Sequence, residues 1–196
     1  RGQATVLSRD DLVKDQGVMA LTALPGGDLV VGTTIEPATG GTATATEACV
    51  YRLDWVNRRI TARWTPVAGL RSIADLVTGP DGMVYGLAAP NRFFVIHPDT
   101  GEVLHREEVS GYGAVTGVQA PRTMAVGPDG GIYVVFREAI ARIEPGSFSH
   151  REIGRPGVPI TAGIVIQNGS IYFASGANLW SFRYEDAGTG ESGHAP

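Results

Sequence analysis

Leu76–Gly86 reads LVTGPDGMVYG: a hydrophobic run, a Gly-containing turn, then a second hydrophobic run. That order is the phrase of an antiparallel hairpin. The phrase returns as Leu21–Gly32 (LTALPGGDLVVG), Met124–Val134 (MAVGPDGGIYV) and Gly163–Phe173 (GIVIQNGSIYF). The turn glycines Gly27, Gly82, Gly130 and Gly169 are spaced by 55, 48 and 39 residues. A period near 40–50 residues with strands inside each unit predicts an all-β fold, a β-propeller of about four blades of four-stranded antiparallel sheet.

Working outward from each hairpin fills the blades with strands A to D. The first takes Val18–Leu24, Leu29–Thr34, Ala48–Trp55 and Ile60–Pro66, with a long connection at Ile35–Glu47. The second takes Ile73–Thr78, Met83–Leu87, Arg92–His97 and Glu102–Val109, with Pro98-Asp99-Thr100-Gly101 as a turn of favourable composition. The third takes Thr123–Val126, Gly131–Phe136, Ala139–Ile143 and Phe148–Ile153; the fourth takes Ala162–Ile166, Ser170–Ala174 and Leu179–Tyr184 and lacks its last strand. The propeller is thus expected over residues 1–186, with blades near 18–67, 70–110, 119–154 and 160–184, and a flexible tail at 187–196. The run at 4–9 is expected as an extra outer strand. It either completes the fourth blade of a closed small ring or marks a preceding blade, which makes the chain the C-terminal arc of a six- to eight-bladed propeller. An open arc exposes sheet faces, so the remaining blades or another chain are expected as partners.

Composition narrows the function classes. With 43% apolar and 18% charged residues the chain reads as a soluble globular domain. A net charge of −4 gives no pull toward nucleic acid, and no run of 18 apolar residues suggests a membrane span. Cys49 is alone, so no internal disulfide forms and the compartment stays open. An extracellular setting is favoured, since a large propeller holds together without disulfides.

The phrases GPDGMVYG and GPDGGIYV, with FVIHPDTGEVLH downstream, resemble the NHL, SMP-30/gluconolactonase, YVTN and quinoprotein-like propellers. The resemblance runs from about Val18 to Tyr184 and implies the fold far more than a reaction, because propellers host lyases, hydrolases, lactonases and binding modules alike. Quinoprotein repeats end in a docking Trp; Asp99–Leu104 begins like one but ends in Leu104, so no quinone is expected. The SMP-30 likeness implies a divalent cation such as calcium on a Glu, Asn and Asp set. Glu47, Asn91 and Asn178 stand in comparable connections, but no spacing fixes them as ligands, and no metal or cofactor is expected from motifs.

Ligands of propellers gather where the B–C and D–A connections meet at one end of the channel. The longest such connection, Thr33–Glu47, has six Thr among its 15 residues and suits hydrogen bonding to a sugar, or is a tolerated surface insertion. Thr34, Thr42, Glu47, Asn91, Gln119 and Asn178 are its expected ligand-binding residues together with the other connections. A polar ligand, carbohydrate above all, is the first reading. The alternative is part of a polysaccharide lyase or hydrolase acting on acidic sugars: Arg71 and Arg122 neutralise a uronate carboxylate, Tyr112 moves the acidified proton, and Glu47 or Asp75 supplies a carboxylate. Asp75 breaks the repeat, with Ala20, Thr123 and Ala162 at matching positions, and reads as either a channel-facing acid or a hydrogen-bonding group. A metal-dependent lactonase is the third reading. The sequence leaves catalysis open.

Overall fold

The computed structural model describes residues 2–8, 11–37, 42–115 and 122–184. Among these residues it contains fifteen strands in four antiparallel sheets, each in simple sequence order. Blade one is β1 (Gly17–Ala23), β2 (Leu29–Thr34), β3 (Val50–Asp54) and β4 (Arg59–Trp64). Blade two is β5 (Ile73–Thr78), β6 (Val84–Ala88), β7 (Arg92–Ile96) and β8 (Val103–Glu108). Blade three is β9 (Met124–Val126), β10 (Ile132–Val135), β11 (Ile140–Ile143) and β12 (His150–Gly154). Blade four is β13 (Ala162–Gln167), β14 (Ser170–Ser175) and β15 (Asn178–Arg183). Among the described residues no helix is long and apolar enough to cross a membrane.

The repeated phrase has a physical reason at each position. In blade two the Asp81 carboxylate accepts the Met83 N–H at 3.1 Å and the Tyr85 hydroxyl at 2.6 Å. Gly82 adopts φ +79°, the left-handed conformation the turn needs. Gly79 lies under the Tyr85 ring, where a Cβ would stand 2.6 Å from a ring carbon. Blade three repeats the device with Gly127, Asp129, Gly130 and Tyr133. GPDG followed by a downstream Tyr is therefore a turn that clamps its own aromatic anchor. Burial pushes the Tyr85 and Tyr133 hydroxyls upward, assisted by the neighbouring carboxylates.

Blades join through three apolar clusters. Val30, Val50 and Ala20 of blade one meet Ile73, Phe94 and Ile96 of blade two. Leu87, Phe93 and Val95 meet Ile132, Val134 and Ala141 of blade three. Tyr133, Val135 and Ile140 meet Ile164, Ile171 and Phe173 of blade four. Burying these side chains is the main source of stability, at about 1.5–3 kcal/mol each. The outer-strand Trp64 packs across the joint onto Gly101 in the first turn of blade two's outer hairpin.

The expected sixteenth strand does not form over residues 4–8, and Arg9 lies outside the described residues. Leu7, Leu12 and Val13 instead pack on Val31, Tyr51 and Leu53, covering the flank of blade one that faces away from blade two. Apolar side chains there are better buried against the sheet face than ordered as an edge strand. The matching flank of blade four keeps Val165 at 61% and Leu179 at 78% exposure, beside Tyr172 on the same sheet face. Among the described residues no apolar cluster joins blade four to blade one. The tail at 187–196 lies outside the described residues.

Candidate functional site

The loop ends of blades one and two enclose a broad cleft of about 1420 Å³. Its walls come from the segment entering β1 (Lys14–Gly17), the connection after β2 and the connection between β4 and β5 (Val67–Ser72), with Pro90 and Arg92 at the side. B–C and D–A connections therefore meet here, and Thr34, Thr42 and Arg71 all line the cleft.

Backbone hydrogen bonds zip the two connections together. The Ile35 N–H donates to the Arg71 carbonyl at 2.8 Å, and the Ala48 N–H to the Leu70 carbonyl at 2.6 Å. The Thr34 hydroxyl donates to the same Arg71 carbonyl at 3.3 Å and accepts the Glu36 N–H at 3.1 Å. These bonds set the Glu36 and Arg71 side chains face to face. Arg71 Nε donates to Glu36 Oε1 at 2.7 Å, and Nη2 to Oε2 at 3.3 Å. That fork holds the Glu36 carboxyl below its ordinary range and raises the Arg71 guanidinium. Both side chains remain more than half exposed, at 54% and 57%.

Glu47 anchors the base of the long loop. Its Oε2 accepts the Gly69 N–H at 2.9 Å, and its carbonyl accepts Gln16 Nε2 at 2.9 Å. Asn91 fastens the two outer strands of blade two: Nδ2 donates to the Val109 carbonyl at 3.0 Å, and the Val109 N–H returns to the Asn91 carbonyl at 2.9 Å. Its Oδ1 is buried without a partner among the described residues. Asn178 is exposed opposite Ser175 on blade four and does not line the cleft. Glu47 and Asn91 are thus engaged with backbone groups, and among the described residues no group of three His, Cys, Asp or Glu is placed to hold a metal. Gln119 lies outside the described residues.

The proposed lyase constellation is not assembled in the cleft. Tyr112 is buried between blades two and three, 5.4 Å from the Phe136 ring, with its hydroxyl 3.1 Å from His150 Nδ1. The void beside it is about 10 Å³, room for one water at most. Arg122 is exposed at the entry to blade three and is not part of the cleft wall. Asp75 is 8% exposed, and of its two readings the hydrogen-bonding one describes its geometry. Oδ2 accepts the Thr123 N–H at 2.6 Å and the Met124 N–H at 2.8 Å, while Oδ1 accepts its own Leu76 N–H at 2.9 Å. Among the described residues no β ladder joins blades two and three, so this carboxylate satisfies backbone donors of the next blade instead.

Lys14, Gln16, Glu36 and Arg92 line the cleft without having stood out in the sequence. Glu36 carried the one available signal, as the first carboxylate in the long connection. A second cluster sits at the outer edge of blades two and three. His105 Nε2 is 3.0 Å from Glu107 Oε1, and His150 Nε2 is 3.5 Å from Glu107 Oε2. With Tyr112 it forms a chain of polar groups between blades that sequence spacing did not reveal.

No protein-family model matches this chain, and no curated protein matches it. Solved structures do. The extracellular domain of the hybrid two-component system BT4673 from B. thetaiotaomicron is 18% identical, with a TM-score of 0.61 over 85% of this chain and 22% of that one. The Dos1 propeller is 12% identical, with a TM-score of 0.63 over 86% of this chain and 42% of that one. The computationally designed Ika4 protein is 14% identical, with a TM-score of 0.58 over 86% and 92%. The chain spans about a fifth of the length of the sensor domain it matches. At such identities the likeness concerns fold, and it agrees with the four sheets: this chain has a β-propeller fold.

Proposed function

We propose that this chain is a ligand-binding segment of an extracellular β-propeller that takes a polar, hydroxyl-rich ligand of the carbohydrate class in the cleft between blades one and two. The observation that carries the reading is the cleft itself. It is about 1420 Å³, open at the loop end, and combines Thr34, Thr42 and Ser72 hydroxyls with Arg and Lys side chains and the apolar surfaces of Ile35, Val67 and Pro90. Sugars present hydroxyls around an apolar ring face, and a wall mixing donors with aliphatic surface suits both. The extracellular domains among the structural neighbours support the setting. The exposed flank of blade four supports further blades or another chain as the structural partner. Within propellers, the GPDG phrases support an NHL/SMP-30-like grouping.

Titration calorimetry with a panel of neutral and acidic oligosaccharides tests the reading. Ala68 is exposed on the cleft wall, so Ala68→Trp fills the mouth without entering the core. At least one saccharide should bind, and A68W should abolish that binding while leaving Tm unchanged. A panel with no binder, or a binder indifferent to A68W, overturns the proposal.

A further inference from the structure

We infer that Glu36 occupies the place of a ligand carboxylate: the saccharide is acidic, and Arg71 exchanges Glu36 for its uronate group. This rests on the cleft being a carbohydrate site and adds the chemical class of the sugar. The Arg71 fork already holds a carboxylate with two N–H donors, at 2.7 and 3.3 Å, the geometry in which a guanidinium recognises an incoming one. The fork is anchored from behind, because the Arg71 carbonyl receives both the Ile35 N–H and the Thr34 hydroxyl. Beyond the Arg71 fork the Glu36 carboxylate has no other partner among the described residues, and its backbone N–H is held on the Thr34 hydroxyl. An ion pair as exposed as this one is screened by water and held weakly, so a ligand carboxylate bringing further contacts displaces it.

Charge in the cleft agrees. Lys14, Arg71 and Arg92 line it against Asp15 and Glu36. Arg92 pairs at 2.9 Å with Glu108, which stands outside the lining, and Lys14 has no ion pair among the described residues. Once Glu36 swings away, the wall presents a guanidinium fork and an ammonium with Thr34 and Thr42 hydroxyls alongside. Glu36 then acts as an internal competitor for Arg71: an acidic sugar displaces it, and a neutral sugar, with nothing to offer Arg71 in its place, leaves it where it is.

Calorimetry at pH 7 with oligomers of galacturonate, glucuronate and mannuronate, each beside its methyl ester, tests this. Wild type should bind an acid oligomer about tenfold or more tighter than its ester. Arg71→Met should bring the two to one affinity. Glu36→Gln should tighten the acid oligomer about three- to tenfold and leave the ester within about twofold. Both residues are exposed, so wild-type Tm in each variant reports an intact fold. Equal binding of acid and ester that R71M does not change overturns the inference and leaves the carbohydrate reading standing. Acid preference lost in R71M but untouched by E36Q overturns the displacement by Glu36. No binding of any saccharide, acidic or neutral, overturns both readings.

Discussion

Replacing Asp75 with Ala should loosen the joint between blades two and three without touching the cleft. The carboxylate accepts two backbone N–H groups of the neighbouring blade, Thr123 at 2.6 Å and Met124 at 2.8 Å, and both residues are buried at 0% and 7% exposure. A buried donor left without a partner costs about 1–3 kcal/mol, so two give about 2–6 kcal/mol. Removing the carboxylate also relieves its own desolvation, which leaves a net loss of about 2–4 kcal/mol. For a chain of this size that lowers Tm by about 5–15 °C. Asp75→Asn keeps one oxygen for both N–H groups and should lose less than half as much. Urea titration followed by tryptophan fluorescence reads the difference as a shift in midpoint at constant slope. The pH dependence has a definite sign. Burial pushes the Asp75 carboxyl above its ordinary value of 3.8, against the pull of the Met124, Thr123 and Leu76 N–H groups. The folded chain then holds a proton that the unfolded chain has released. That contribution is complete below about pH 3.8 and is lost as pH rises through the folded value. D75A should lack this segment of the stability profile. A D75A variant within about 0.5 kcal/mol of wild type refutes the clamp.

Three further outcomes follow from the same geometry. Gly86→Ala on β6 sets a methyl against the buried Phe94 ring and should cost about 1–3 kcal/mol by overpacking, read as a lower urea midpoint. Tyr112→Phe breaks the contact with His150 and should cost about 0.5–1.5 kcal/mol while leaving saccharide affinity unchanged, because Tyr112 is not on the cleft; an affinity loss in Y112F would revive its role at the site. For Asp129 burial pushes the carboxyl up, but Arg142, the Gly131 N–H and the Tyr133 hydroxyl outweigh it and hold it below 3.8. Its contribution is present above that value and is lost as pH falls through the depressed folded value, so Asp129→Asn should flatten the acid limb of stability measured between about pH 5 and 2.

The blades were legible because each strand announces itself locally. The hairpin turns need Gly at positive φ, and strands β2 and β5 begin and end where alternation and turn residues placed them. The position of the long connection at one end of blades one and two was legible too, from strand order alone. What failed to show was long-range partnership. Asp75 breaks the repeat, and a broken repeat on an inner strand invites a functional reading. Its partners are 48 and 49 residues away on another blade, where no ladder pattern signals that a donor needs an acceptor. Tyr112 and Arg122 share a connection in sequence, yet Tyr112 turns inward because its ring fills the space over Phe136. Glu36 was passed over because a single carboxylate in a Thr-rich loop has no spacing to mark it; only the fold brings Arg71 from 35 residues away to meet it.

The net charge of −4 stands against the proposed acidic ligand, and distance resolves the conflict. At physiological ionic strength the field of a surface charge decays over about 8 Å, so a ligand in the cleft responds to the wall and hardly to the rest of the surface. That wall carries three cations and two carboxylates, and in the proposed exchange one of those carboxylates gives up the fork to the ligand. The chain as a whole gives no long-range steering toward an anionic polymer, and selection falls to short-range contacts made after encounter. Discrimination between acid and ester should therefore appear in the dissociation rate, with association nearly alike for both. The scaffold has a separate chemistry: Asp81, Asp129 and Asp75 are committed to turns and blade joints, where their partners are backbone N–H groups, Tyr hydroxyls and, for Asp129, the Arg142 guanidinium. Asp75 is buried at a blade joint and Asp81 and Asp129 are fixed in hairpin turns, whereas the pair proposed to exchange stands exposed at the loop end, Glu36 on the long connection after β2 and Arg71 on the connection between β4 and β5.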